Sequence, residues 1–206
     1  MDKFFRWFGL PGSLVLTSLL SALALTLALT DPTPVRWLCF AAMAFSSAGD
    51  VFLSHRKKLS ERFKHCFEIG AALFMVSHLL YALCFGMKTH LQLVPILNGG
   101  AVIALLLGAA AAAVLIHLSV RCGRAKKLPL PLIYLSVILI NCAAVLSYVC
   151  AQNPLSVSAF CAAAGILSFM ISDFIIGLGF ACSIHRYDFL VWWFYPIGQI
   201  LLILAA

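Results

Sequence analysis

Seven runs of predominantly apolar residues follow one another along this chain, at 11–30, 34–54, 67–87, 93–117, 129–150, 155–182 and 188–205. Each is close to the length of about twenty residues that a helix needs to cross a bilayer core. In lipid, every backbone N–H and C=O must be bonded inside the segment, so such runs predict helices and not open strands. The expected fold is all-α: a polytopic transmembrane helix bundle of about seven spans, forming a single integral-membrane domain over residues 1–206. Composition agrees, with 64% of residues hydrophobic and 10% charged, where soluble domains hold roughly one-quarter charged residues. The sixth run is the longest and is expected to tilt or to extend past the bilayer.

Turn-forming and charged stretches separate the runs: TDPTP after the first, SHRKKLSERFKH after the second, SVRCGRAKKLPLP after the fourth and AQNP after the fifth. The net charge of +7 does not point to nucleic acid, because the cations sit in short loops where they set topology. With the N-terminus inside, the inner segments hold Lys3, Arg6, Arg56, Lys57, Lys58, Arg62, Lys64, Arg121, Arg124, Lys126, Lys127 and Arg186. The outer segments hold Arg36 and Lys88. That bias predicts an N-in, C-out arrangement with an odd number of spans. The compact size and short loops suit a bacterial plasma membrane. Lys3 and Arg6 ahead of ALALTLALT also suit a signal peptide, but the run is long and the next span follows almost at once, which favours an uncleaved helix.

The eight cysteines form no C-x-x-C pair and lie mostly inside apolar runs, where cysteine behaves as a small hydrophobe. Neither a disulfide framework nor a zinc cluster is expected.

The constraint that remains is LSFMISDFIIGLGF, residues 167–180, which places Asp173 deep in an apolar run. A charged carboxylate at a helix centre costs about 2.5–3.5 kcal/mol on insertion scales, so an acid there is a candidate functional group. At 1.5 Å per residue, Asp173 and His78 both come out about 15 Å from the cytoplasmic ends of their helices. Asn141 and Gln199 fall at a similar level, Asp50 is shallower, Glu68 lies near the inner mouth of the third span, and Tyr134 and Tyr195 fall between. Ser172 adjoins Asp173. Tyr134, Asn141 and Tyr148 recur every seven residues, His78 and Tyr81 are three apart, and Ser46 and Asp50, like Tyr195 and Gln199, are four apart. These spacings put each set on one helix face. Together they predict a polar pocket in the cytoplasmic half, bounded by the second, third, fifth, sixth and seventh spans. Plainer roles compete: Asp50 and Glu68 as interfacial acids, His78 as a packing histidine, the tyrosines as anchors, and Asn141 and Gln199 as interhelical hydrogen-bonding groups.

Two carboxylates with a histidine and tyrosines suit general acid–base chemistry. One acid can hold a proton while the other stays ionised, as in the paired-acid hydrolysis of glycosides. A metal centre is not expected, because only His78 of the six histidines is deep, and no H-E-x-x-H or G-x-S-x-G occurs. No cofactor is called for. The same groups also suit a proton relay in a transporter, or a lipid-binding membrane protein without hydrolase activity.

SSAGDVFL (46–53), GAALFMVSHLLYALCF (70–85), FMISDFIIG (169–177) and YPIGQILL (195–202) resemble the YhhN-like family of multispanning membrane proteins, which includes the lysoplasmalogenases. The resemblance runs from about residue 35 to the C-terminus, in the family's order and spacing. It implies hydrolysis of the vinyl ether bond of a lysophospholipid, giving a fatty aldehyde and a glycerophospho-alcohol without metal or nucleotide. The motif aspartates, Asp50 and Asp173, would be the catalytic pair. His78 and Tyr81 would orient them or bind the head group. Ser172, Asn141, Tyr134, Tyr195, Gln199 and Glu68 complete the candidate substrate-binding or orienting set. Members usually show eight spans, against the seven runs counted here.

Overall fold

The structure, a computed structural model, describes residues 10–54, 65–89 and 98–206. Among these residues it contains seven α-helices and no strand: α1 (Leu10–Thr30), α2 (Pro34–Ser54), α3 (Cys66–Lys88), α4 (Gly99–Arg121), α5 (Pro129–Cys150), α6 (Val157–Cys182) and α7 (Asp188–Ala205), with a 3-10 turn at Ala125–Lys127. Five of them, α3 to α7, are long and apolar enough to cross a membrane, which marks the chain as an integral membrane protein. α1 contributes a shorter apolar stretch, Leu14–Thr30, and α2 carries Arg36, Asp50 and three serines.

Local chemistry accounts for the helix starts. The Asn98 side chain accepts from the Ala101 N–H at 2.9 Å to cap α4, and Ser156 does the same for α6 with Ala159 at 3.1 Å. Proline stands at the first position of α2 and of α5, where its missing N–H removes nothing. α6 ends on Ser183 with φ 57°, the left-handed cap that lets the Ser183 and Ile184 N–H groups close on Gly179 and Leu178 carbonyls.

The fourth helix departs from its expected bounds. It begins at Gly99, while positions 93–97 of the expected span lie outside the described residues, as do Lys3, Arg6 and the cations of 56–64. It also runs four residues past 117, to Arg121. Loss of hydropathy does not stop a helix; Gly123, at φ +66°, is the first residue that turns the chain away.

The chain divides into two compact units, Met1–Cys84 and Phe85–Ala206, with the boundary inside α3. In the first, Leu20, Ala24, Ala28, Ala42 and Met43 are buried, so small side chains let α1 and α2 approach closely. The Ser21 and Ser47 hydroxyls meet at 2.8 Å, and Ser47 donates to the Thr17 carbonyl at 3.0 Å. In the second, α4 packs through Gly100, Ala104 and Gly108. A Cβ on Gly100 would come within 2.4 Å of the Leu146 backbone of α5. The neighbouring alanines Ala109, Ala110 and Ala113 are exposed, so the packing stripe lies largely ahead of the alanine run. α6 and α7 share the most extensive contact between elements of this unit.

Candidate functional site

Four of the candidate residues belong to the first unit. Asp50 is half-buried near the end of α2. Gly49, its neighbour, faces α3: a Cβ there would fall 2.7 Å from the Phe74 ring and 3.2 Å from the Gly70 carbonyl oxygen. A Cβ on Gly70 would in turn meet Leu53 at 2.9 Å and the Gly49 carbonyl oxygen at 3.3 Å. The Gly-Asp pair thus marks a close α2–α3 approach, with Asp50 the next residue along α2. One turn earlier on α2, the buried Ser46 hydroxyl meets that of Ser77 at 2.7 Å. Ser77 adjoins His78, which is fully buried, as is Tyr81 one turn on. Glu68 stands apart. It is exposed in the first turn of α3, and its carboxylate lies 3.7 Å from His65 Nδ1, which is the interfacial pairing open to such an acid.

The other six belong to the second unit. Asn141, Ser172 and Gln199 are fully buried, Asp173 is 4% exposed, Tyr195 is buried and Tyr134 is half-buried. α5 starts, α6 ends and α7 starts at one end of this unit, joined there by a hydrogen bond from Arg124 to Ser183 and by the buried cluster of Leu115, Leu135, Leu178, Ala181 and Cys182. Counted from that end at 1.5 Å per residue, Asp173, Gln199 and Asn141 lie about 14, 17 and 18 Å deep.

Glycine again sets the approach. A Cβ on Gly198 of α7 would meet the Phe169 N at 2.9 Å and the Gly165 carbonyl oxygen at 3.0 Å, and one on Gly165 would meet the Leu202 N at 3.0 Å. Pro196, inside α7, has no N–H to return to the preceding turn. Tyr195 packs edge-on against Phe169 with centroids 5.7 Å apart. YPIGQ therefore holds a close-packed helix against α6, with Gln199 buried next to the contact glycine. The Ser172 hydroxyl donates to the Phe169 carbonyl at 2.8 Å, a bond within its own helix that leaves its oxygen lone pairs as its remaining capacity.

Tyr148 does not join this level, although it shares a stripe with Tyr134 and Asn141. Seven residues past Asn141, it reaches the opposite end of the unit, about 10 Å further along, where its hydroxyl meets Ser158 Oγ at 2.9 Å. Lys88 lies over its ring, 4.9 Å from the centroid. The same ammonium donates to Ser158 at 3.4 Å, to the Ala205 carbonyl and to the Ala206 carbonyl at 3.4 Å. Sequence reasoning treated Lys88 only as an outer charge. A lysine in a last helical turn was visible, but its partners on α6 and α7 were not.

Among the described residues, no three His, Cys, Asp or Glu side chains gather as a metal site requires. What the two units offer is a set of hydroxyl, imidazole, carboxamide and carboxyl groups on glycine-packed helices.

The model of the YhhN family matches residues 13–206. The chain belongs to the YhhN family. The match takes in every motif discussed above, from Gly49-Asp50 through Ser77-His78 and Ser172-Asp173 to Pro196–Gln199. No curated protein matches this YhhN protein, and no solved structure does.

Proposed function

We propose that this YhhN protein is a lysoplasmalogenase-like hydrolase that cleaves the vinyl ether bond of a lysophospholipid. The observation that carries the reading is family membership across nearly the whole chain, joined to a carboxyl group, Asp173, buried midway along an apolar helix. In the proposed reaction an acid protonates the vinyl carbon remote from oxygen, giving an oxocarbenium ion. Water adds to the carbon bearing oxygen and loses a proton to the second carboxylate. The hemiacetal then collapses to a fatty aldehyde and a glycerophospho-alcohol. One of Asp50 and Asp173 is the acid and the other stabilises the cation and guides water. His78 and Tyr81 orient the pair or the head group, with Ser172, Asn141, Tyr134, Tyr195 and Gln199 as supporting polar groups. The reading places seven spans N-in, C-out in a bacterial plasma membrane, with the polar pocket open to the cytoplasmic side.

The test is aldehyde release from a lysoplasmalogen by the purified protein in detergent, beside Asp50→Asn and Asp173→Asn. General acid–base groups contribute about 10²–10⁴-fold, so each variant is expected to lose at least a hundredfold while keeping its melting temperature. Release at the native rate by a folded Asp173→Asn variant would remove it from the chemistry. Absence of release from any vinyl ether lipid, with solute or proton flux in vesicles instead, would replace hydrolysis by transport.

A further inference from the structure

The second unit contains two acids, Asp173 and Asp188, and six Lys or Arg residues. Five of those cations stand at one end: Arg121, Arg124, Lys126, Lys127 and Arg186. The arrangement there is built. Arg124 donates to Ser183 in the left-handed cap of α6 and so ties the α4–α5 connection to the α6–α7 connection. The 3-10 turn then presents its two lysines. Lys127 rests over the Phe180 ring at 5.7 Å and Arg186 over Tyr187 at 4.4 Å. The single acid at this end, Asp188, is engaged by His185 Nδ1 at 3.1 Å. Arg121, Lys126 and Arg186 are exposed and form no ion pair among the described residues. About one turn into α7 lie Trp192 and Trp193, 39% and 61% exposed. Indole rings of this kind settle at the headgroup level of a bilayer.

We propose that this end of the second unit is a docking surface for the headgroup of an anionic phospholipid. The surface is an unneutralised cationic rim, held in place by Arg124–Ser183 and lying at the end of the unit where exposed tryptophans stand. A topology signal requires only that cations be present in a loop while the chain inserts. It does not require that the nearby acid be engaged elsewhere, nor that two connections be tied together. The lipid sits with its phosphate at Arg121, Lys126 and Arg186 and its chains beside Trp192 and Trp193. This assignment is independent of the proposed hydrolysis.

The experiment uses the purified full chain in phosphatidylcholine nanodiscs, and reads quenching of tryptophan fluorescence by acyl-brominated phosphatidylglycerol or acyl-brominated phosphatidylcholine. Each surface cation contributes roughly a fivefold preference for anionic lipid, so a triple Arg121→Gln/Lys126→Gln/Arg186→Gln variant is expected to lose about a hundredfold. Arg121→Lys/Arg186→Lys keeps the charge and is expected to keep the preference. High salt should weaken it. Equal quenching by the two lipids in the native protein overturns the proposal, as does native preference in the triple Gln variant. Displacement by millimolar inorganic phosphate would make the ligand a free anion and would also overturn it. The three positions are exposed, and an unchanged melting temperature confirms that the variants are folded.

Discussion

Asp50 and Asp173 each follow a glycine-built helix crossing, but the two crossings differ in what the glycines face. Around Gly49 and Gly70, the atoms that a new Cβ would strike first belong to the side chains of Phe74 and Leu53. Around Gly198 and Gly165, the closest atoms include the backbone of Phe169, Gly165 and Leu202. A ring or an isobutyl group can rotate; a helix backbone in a close-packed pair cannot move without shifting the helix. The α2–α3 contact therefore has some slack, and the α6–α7 contact has almost none. The burial of the two acids follows the same order, with Asp50 half-exposed and Asp173 almost closed off.

Substitution at the glycines tests this difference directly. Gly198→Val is expected to have the largest effect, a loss of about 3 kcal/mol or more in unfolding free energy, because the added carbons overlap backbone. Unfolding in mixed detergent micelles measures it, and a loss no greater than that of Gly49→Ala would erase the distinction. Gly49→Ala should cost about 1 kcal/mol, since the Phe74 ring swings aside at a modest rotamer cost. A loss as large as at Gly198 would mean that the Gly70 carbonyl, 3.2 Å away, sets the limit. Gly177→Ala should have the smallest effect, with opposite sign. Its Cβ would meet only Leu115 Cδ2 at 3.9 Å, so the helix gains up to about 1 kcal/mol of propensity. Destabilisation there would show that the SDFIIG motif needs its glycine for something other than packing in the second unit.

How much of this was legible in the sequence depends on the range of the signal. Helix bounds depend on neighbours, and α2, α3, α5, α6 and α7 begin and end within two residues of their apolar runs. α4 did not, because its limits are set by the Asn98 cap and by Gly123 rather than by hydropathy. Helical rise alone puts Asp173, Asn141 and Gln199 at a similar level. What periodicity could not supply was which partner each residue finds. Tyr148 shares a seven-residue stripe with Asn141 yet is engaged by Ser158, and a stripe long enough to hold both spans two ends of the unit. The motif glycines carry no side chain whose partner could be read from spacing. Their role as contact points became visible only when the facing helix was in place.

The partners of Lys88 lie up to 118 residues further along the chain. During synthesis this ammonium is therefore made long before the carbonyls that it will cap. Before α7 is made those acceptors do not exist, and an unpaired lysine is costly in hydrocarbon. The hydrogen bonds at the end of α3 are therefore completed only when the last helix is in place. A side chain that plays no part in the proposed chemistry thus depends for its partners on the longest stretch of chain in the second unit.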